Sequence, residues 1–480
     1  MILILVIKLA SKCFSKIEMK NIFLYILMGF SLIFPSGLVH AQTPAPTAPI
    51  YIVKEGDSLW NIAYRFHVSQ QDLANANGII NANQIVIGQQ LVIPGLEGIQ
   101  GILETEQVPY GETLHSLSLR YRLPIDLLER LNHITSPNEI FKGYYLVILE
   151  SSAAIAPGKR DDLGPGQSVL EMAVLNDTST WNILNNNQLS NSSSVIAGEV
   201  LRVPGADDPG PGALPPGISS VSISGLEQGQ TSETIIEVAN GALVQGSLMD
   251  HSLNFFQDSD NQLVALQGLH AMADPGLYTL SISATLTDNT QFAFAQGVLV
   301  VSAGFPIDNP LTVDPVTLDP DTTVPEDTQW RDLSSTVSAE KLWDGIFSLP
   351  VDPVFADCNP SRFGSLRSYN GSEYKYYHTG LDYCSQVGNP IYATASGVVV
   401  FAGPMTVRGN ATMIDHGWGV FSAYMHQSEI LVTVGEQVET GQLIGLVGNT
   451  GRVNGPHLHF EVWAGSVQVN PLDWMSQVYP

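Results

Sequence analysis

The sequence predicts a multidomain chain: tandem β-α-α-β modules, then an antiparallel β-sandwich, then a mainly antiparallel β domain at the C-terminus. Three observations carry this. The 480 residues exceed what one hydrophobic core organises. The N-terminal half repeats itself every 55 residues. From about 217 onward, short alternating apolar and polar runs recur between turn signals.

The repeat is read from aligned columns. Gly56, Gly111 and Gly166 coincide, as do Leu59, Leu114 and Val169, then Ile62, Leu117 and Met172. Asn77, Asn132 and Asn187 follow, then Gly88, Gly143 and Gly198, then Leu91, Leu146 and Leu201. So many coincidences mean a tandem array, with units at 51–95, 105–150 and 163–205. Each unit opens on a short alternating run such as Tyr51-Ile52-Val53. A capped helix follows, Asp57 or Ser58 leading into Leu59, Ile62 and Ala63. A second short helix is expected near 69–76, and Gln90-Leu91-Val92-Ile93-Pro94 closes the unit as a strand. This order, with Gly56-Asp57-Ser58-Leu59-Trp60-Asn61-Ile62-Ala63, resembles LysM modules, and the resemblance implies binding of N-acetylglucosamine chains. The second unit is similar, with Tyr121 where the first has Phe66. The third departs: its opening strand is weak and Asn176 takes the aromatic position, so a structural role stands beside glycan binding there.

Ahead of the array, 1–41 reads as an export signal with a start at Met19. Lys20 supplies the positive end, 22–34 an apolar run, and Val39-His40-Ala41 a cleavage site. The run is shorter than the ~20 residues of a spanning helix. Cleavage removes Lys8, Lys12, Lys16, Lys20 and Glu18, leaving 16 basic against 45 acidic residues, a net −29. That field opposes nucleic acid and anionic membrane surfaces. The expected location is therefore secreted or in the cell envelope. Cys13 leaves with the signal; Cys358 and Cys384 remain, a candidate disulfide in an exported protein.

Residues 206–216 read as a proline-stiffened linker. The runs at 220–224, 233–238, 263–266, 278–282 and 292–301 read as an immunoglobulin-like β-sandwich over 217–304, with a spacer or docking role. Residues 305–335, rich in Pro, Asp and Thr, read as a second extended linker. The domain over 336–480 alternates short β-runs with glycine turns.

The chemistry concentrates in that last domain. His378-Thr379-Gly380-Leu381-Asp382 lies upstream of Gly455-Pro456-His457-Leu458-His459-Phe460-Glu461. Histidines one residue apart share a face of a strand, and a His and an Asp four apart also share a face. Two imidazoles and a carboxylate suit a catalytic zinc with an open position for water, and leave one imidazole over. The paired motifs resemble the lysostaphin/LytM-type zinc endopeptidases, which cut peptide bonds in bacterial peptidoglycan. Arg362-Phe363-Gly364, 387–393, 396–400, Asp415-His416-Gly417, Tyr424-Met425-His426 and Gly441-Gln442-Leu443-Ile444-Gly445 continue in family order. The resemblance implies zinc (Zn2+) on His378, Asp382 and His459, with His426 and His457 as catalytic, unligated histidines. It makes His416 a turn element. Where the family often has an oxyanion tyrosine, this chain has Ser372, with Tyr369 and Tyr374 nearby and neither assigned.

The implied function is a secreted zinc metalloendopeptidase that cuts peptide cross-links or stem peptides of peptidoglycan and is held on the wall by its LysM modules. The alternative is a non-catalytic activator of another wall hydrolase. Such relatives lose ligands, and none is missing here. A lipoyl or biotinyl carrier, suggested by Val434-Gly435-Glu436-Gln437-Val438, is excluded because no lysine follows Lys375.

Overall fold

The computed structural model describes residues 48–480 apart from 197, 215–216, 239–241, 287–288 and 290. The expected export signal lies outside the described residues. Among the described residues no helix is long and apolar enough to cross a membrane.

Each repeat folds as a two-stranded antiparallel sheet against two short helices. In the first, Ile50–Ile52 pairs with Gln90–Val92 around helices Leu59–Arg65 and Gln70–Ala76. In the second, Leu103–Gln107 pairs with Tyr145–Leu149 around Leu114–Tyr121 and Ile125–Asn132. In the third, Lys159–Asp162 pairs with Val200–Val203 around Val169–Leu175 and Thr180–Asn186. The repeat columns now have physical reasons. Ser58, Thr113 and Ser168 cap the first helices, and the side chain three residues on returns the bond. Asn77, Asn132 and Asn187 each donate to the helix carbonyl four residues back and to a carbonyl of the closing strand. Each amide oxygen accepts that strand residue's N–H. One side chain thus satisfies three backbone groups and locks helix to strand. In the third module Asn176 bonds Asp161 and the Met172 carbonyl, where the other modules pack an aromatic ring.

The region 217–304 forms two antiparallel sheets over one core. One sheet runs His251–Leu253, Leu243–Leu248, Gly276–Thr285, Gln291–Val300; the other runs Phe256–Ser259, Gln262–Gly268, Thr231–Val238, Ile218–Ser224. Alternation places Leu248, Leu280, Ile282 and Val298 of the first against Val221, Ile223, Ile236 and Ala265 of the second. The second repeat docks here: Phe141–Lys142 adds a parallel strand beside Gly297 and Val298, and the Tyr110 hydroxyl donates to the Leu280 carbonyl inside the core. The stretch 206–214 is pinned to the same repeat, since Arg120 grips Asp208 with two nitrogens and Leu214 is fully buried.

The C-terminal domain is a nine-stranded sheet whose main path runs Leu381–Cys384, His457–Ala464, Val420–Ile430, Gly409–Gly417, Gly397–Met405, Gln437–Val438. One face packs a core including Leu458, Phe460, Val462, Trp343 and Trp474. Val264 and Leu266 of the sandwich belong to that same core, and Trp474 Nε1 donates to Thr231 Oγ1. The two units are therefore packed together.

The expected extended linker at 305–335 is corrected. Pro320–Ser334 is a helix, started by Asp319 as cap with Pro320 in its first turn. Its Trp330 is fully buried against Met413, Phe421, Met425 and Trp463 on the second face of the sheet. The Arg408 guanidinium lies over the Trp330 ring, 5.1 Å from its centroid, and also bonds Asp327. The Pro, Asp and Thr content concealed a helix that one tryptophan and two carboxylates, Glu326 and Asp327, fasten to the domain. The folded unit accordingly begins before 336.

Candidate active site

Three neighbouring strands bring the site together. Leu381–Cys384 runs antiparallel to His457–Ala464, with Asp382 opposite His459 and Cys384 opposite His457. On the other flank Val420–Ile430 sets Met425 opposite His459. Strict alternation would turn His426 away from Met425. A bulge intervenes: Asn410 and Thr412 pair with Gln427 and Tyr424, which leaves an extra residue on the longer strand. His426 takes φ 63°, the left-handed region rare for a side chain with a Cβ, and its ring comes 4.9 Å from that of His457. Gly380, between the first two ligand candidates, has to be glycine. A Cβ there would collide with the Phe460 carbonyl and approach His459 Nε2 to 2.9 Å.

His378 Nε2, His459 Nδ1 and Asp382 Oδ1 converge on one point. The two nitrogens are 2.9 Å apart, and they lie 3.0 and 2.9 Å from the oxygen. Hydrogen-bond partners fix the tautomers. His378 Nδ1 faces the Arg362 carbonyl at 3.0 Å, an acceptor only, so Nδ1 carries the proton and Nε2 presents a lone pair. His459 Nε2 faces the Glu461 carboxylate at 3.2 Å, so its Nδ1 presents one. Three acceptors this close repel unless a cation or a proton sits among them. The donor set, two imidazoles and one carboxylate, fits a divalent metal.

The electrostatics agree. Burial holds His378 down at about 4, keeping it neutral. For Asp382 burial works upward but is outweighed by His378 and His459, so the carboxyl lies well below its usual range. Burial would also lower His459, yet its bonds to Asp382 and Glu461 lift it above its ordinary value. Glu461, against its burial, is pulled down to about 2 by His459. His426 is driven well below its normal range, by burial first and then by His457 and His459.

His426 and His457 share a second arrangement. Their Nδ1 atoms face the carbonyls of Thr450 and Gly455, both at 2.8 Å, so each Nε2 is left as an open acceptor. His457 Nε2 is 3.6 Å from Asp382 Oδ1, beside the convergence point. The structure thus gathers all five sequence-predicted residues. It also gives contacts to two residues that the sequence left without a role. Glu461 is held by the indole N–H groups of Trp330 and Trp463, at 3.3 and 2.9 Å. Arg367 donates to Asp382 Oδ2 at 3.2 Å. Glu461 was within reach of sequence reasoning, since it lies two residues beyond His459 on the same strand face.

His416 stands apart from these contacts. It lies in strand Gly409–Gly417, buried, with its nitrogens on the Ser396 carbonyl and Ser422 Oγ, so it belongs to the core of the strand and not to a turn. Ser372 Oγ is engaged within its own turn, the Tyr369 hydroxyl faces Arg367, and the Tyr374 hydroxyl donates to the Asp308 carbonyl. Cys358 and Cys384 form a disulfide closing a loop of 26 residues. In the chain-entropy model such a loop contributes about 3.5 kcal/mol. The bond ties the loop carrying Ser361 and Arg362 to the strand of Asp382.

Comparison with known proteins identifies the domains of the chain. Residues 376–471 match the model of Peptidase family M23, and residues 51–94 and 107–148 match the LysM domain. The third repeat lies outside those matches. Peptidoglycan DD-endopeptidase ShyA of Vibrio cholerae serotype O1 is 44% identical over 95 residues, covering 20% of this chain and 22% of its own. DD-carboxypeptidase/endopeptidase Mpg of Neisseria meningitidis serogroup B is 45% identical over 95 residues, with the same coverage, 20% and 22%. The likeness to both thus spans about a fifth of their length. A solved structure of a putative peptidase M23 from Pseudomonas aeruginosa aligns over 52% of this chain and 95% of its own, at 22% identity and a TM-score of 0.40. The chain carries a Peptidase family M23 domain preceded by two LysM domains.

Proposed function

We propose that the chain is a secreted, zinc-dependent metalloendopeptidase that hydrolyses peptide cross-links or stem peptides of bacterial peptidoglycan, with LysM modules holding it on the glycan. The observation that carries the reading is the convergence of His378 Nε2, His459 Nδ1 and Asp382 Oδ1 beside two further histidines with open Nε2 atoms. His378, Asp382 and His459 would hold the zinc. Bound there, it supplies Lewis acidity toward the scissile carbonyl and lowers the pKa of a bound water toward about 7. His426, kept neutral by burial, and His457 are placed to take a proton from that water at Nε2 and return it to the leaving amine. Glu461 and Arg367 orient ligands from behind. Secretion accords with the Cys358–Cys384 disulfide, which an oxidising compartment sustains. We read the 217–304 sandwich as an immunoglobulin-like unit that seats the peptidase domain, given their common core. The activator reading has no missing ligand to favour it.

The test is digestion of isolated peptidoglycan followed by mass spectrometry of the released muropeptides. Cross-linked species or intact stems should fall and their cleavage products rise, and a digest identical to the untreated wall would sink the proposal. The LysM role has its own test. Soluble N-acetylglucosamine oligomers should release the chain from insoluble wall while leaving hydrolysis of a small soluble peptide unchanged, because tethering raises local concentration without touching the chemistry. Slowing of both to the same degree would contradict it.

A further inference from the structure

The stretch just after the sandwich runs alongside the site as an added strand. Ile307 bridges Leu366 and Leu311 bridges Tyr369, both in parallel. Asp308 N–H donates to the Leu366 carbonyl, and Leu366 N–H donates to the Pro306 carbonyl. This pairing presents the Asp308 carboxylate to two side chains that themselves touch ligand candidates. Ser361 Oγ donates to Asp308 Oδ2 at 2.5 Å and lies 3.1 Å from His378 Nδ1. Arg367 spans the other side, with Nε 3.4 Å from Asp308 Oδ2 and Nη2 3.2 Å from Asp382 Oδ2. Arg367 Nη2 also donates to Ser361 Oγ at 2.8 Å.

From this network we infer that Asp308, which lies outside the matched peptidase region, is a positioning residue for the metal centre. The inference rests on the proposed metal site. Asp382 turns Oδ1 to the convergence point and Oδ2 to Arg367. A guanidinium without a counter-charge would draw carboxylate charge toward itself and compete with a cation at Oδ1. Asp308 on the far side of Arg367 supplies that counter-charge. The serine works on the other ligand. Its single hydroxyl proton goes to Asp308, so the oxygen is left to share the His378 Nδ1–H with the Arg362 carbonyl. This reinforces the tautomer that opens Nε2. Loss of Asp308 frees the hydroxyl to rotate and strands the arginine beside Asp382. One carboxylate therefore acts on two ligands, in each case through an intermediary.

Loss of side chains that touch a ligand, as Ser361 and Arg367 do, typically changes metal affinity about 10- to 100-fold. The experiment measures Zn2+ affinity of the full chain by competition with a chromophoric chelator, and the melting midpoint of chelator-treated protein. Asp308→Ala should weaken Zn2+ binding about 10- to 100-fold, and Asp308→Glu should recover part of the loss. Ser361→Ala, which keeps the strand pairing and the Asp308–Arg367 pair, should weaken binding by a smaller factor with the metal-free midpoint unchanged. It decides the matter if Asp308→Ala does not fold. Were Asp308 only a strand anchor, its loss would lower the midpoint while both alanine variants bound Zn2+ as the parent does; that result overturns the inference. A parent chain that binds no Zn2+ overturns the metal-site reading, and this inference with it.

Discussion

Alanine at His426 or His457 should leave metal binding intact and lower turnover on peptidoglycan about 10²- to 10⁴-fold, the usual range for a lost general acid or base. Both rings have Nδ1 committed to a carbonyl, at Thr450 and Gly455, and offer only Nε2 to the site. Neither supplies an atom to the three-donor cluster, so the cation should stay. Metal content and kcat measured on the same preparations check this. His457 is the nearer rival to the ligands, at 3.6 Å from Asp382 Oδ1. If His457→Ala loses the metal while His378→Ala keeps it, ligand and catalyst have been exchanged.

Trp330→Ala should destabilise the peptidase domain by about 3–5 kcal/mol, as for other fully buried aromatic truncations. For a domain of this size that corresponds to a fall of about 10 °C in melting midpoint. Trp330 fills the second face of the sheet beside Met413, Phe421 and Trp463. Its indole is also one of two donors on Glu461, which orients His459. The variant should therefore also bind metal more weakly than its lost stability alone explains. A midpoint within about 2 °C of the parent, below about 1 kcal/mol, would mean that Pro320–Ser334 is an appendage and not part of the domain.

The parts of this protein written as periodic or clustered residues could be read from the sequence. The Asn77, Asn132 and Asn187 column announced a repeat, although only the structure shows why asparagine: three backbone groups need one amide. The cluster of His378, Asp382 and His459 was legible because the spacing within each motif is local. What joins the motifs to the rest of the chain was not. Trp330 is a lone apolar residue among Pro, Asp and Thr, and its role depends on a sheet face far downstream in the chain. Asp308 acts through Ser361 and Arg367, so no spacing rule ties it to His378 or Asp382. Met425 and His426 face the same side only because of a bulge, which breaks the alternation that strand reading assumes.

The most direct measurement is zinc stoichiometry and affinity of the purified chain and of His459→Ala, by elemental analysis and chelator competition. The purified chain should hold about one zinc, removed by chelator and restored by added Zn2+, and the variant none. Affinity should fall as the pH is lowered, because a proton competes for His459 Nδ1, whose pKa is raised above the ordinary histidine value. Zinc retained at full stoichiometry by His459→Ala, or wall hydrolysis undiminished in metal-free protein, would contradict the zinc-dependent reading.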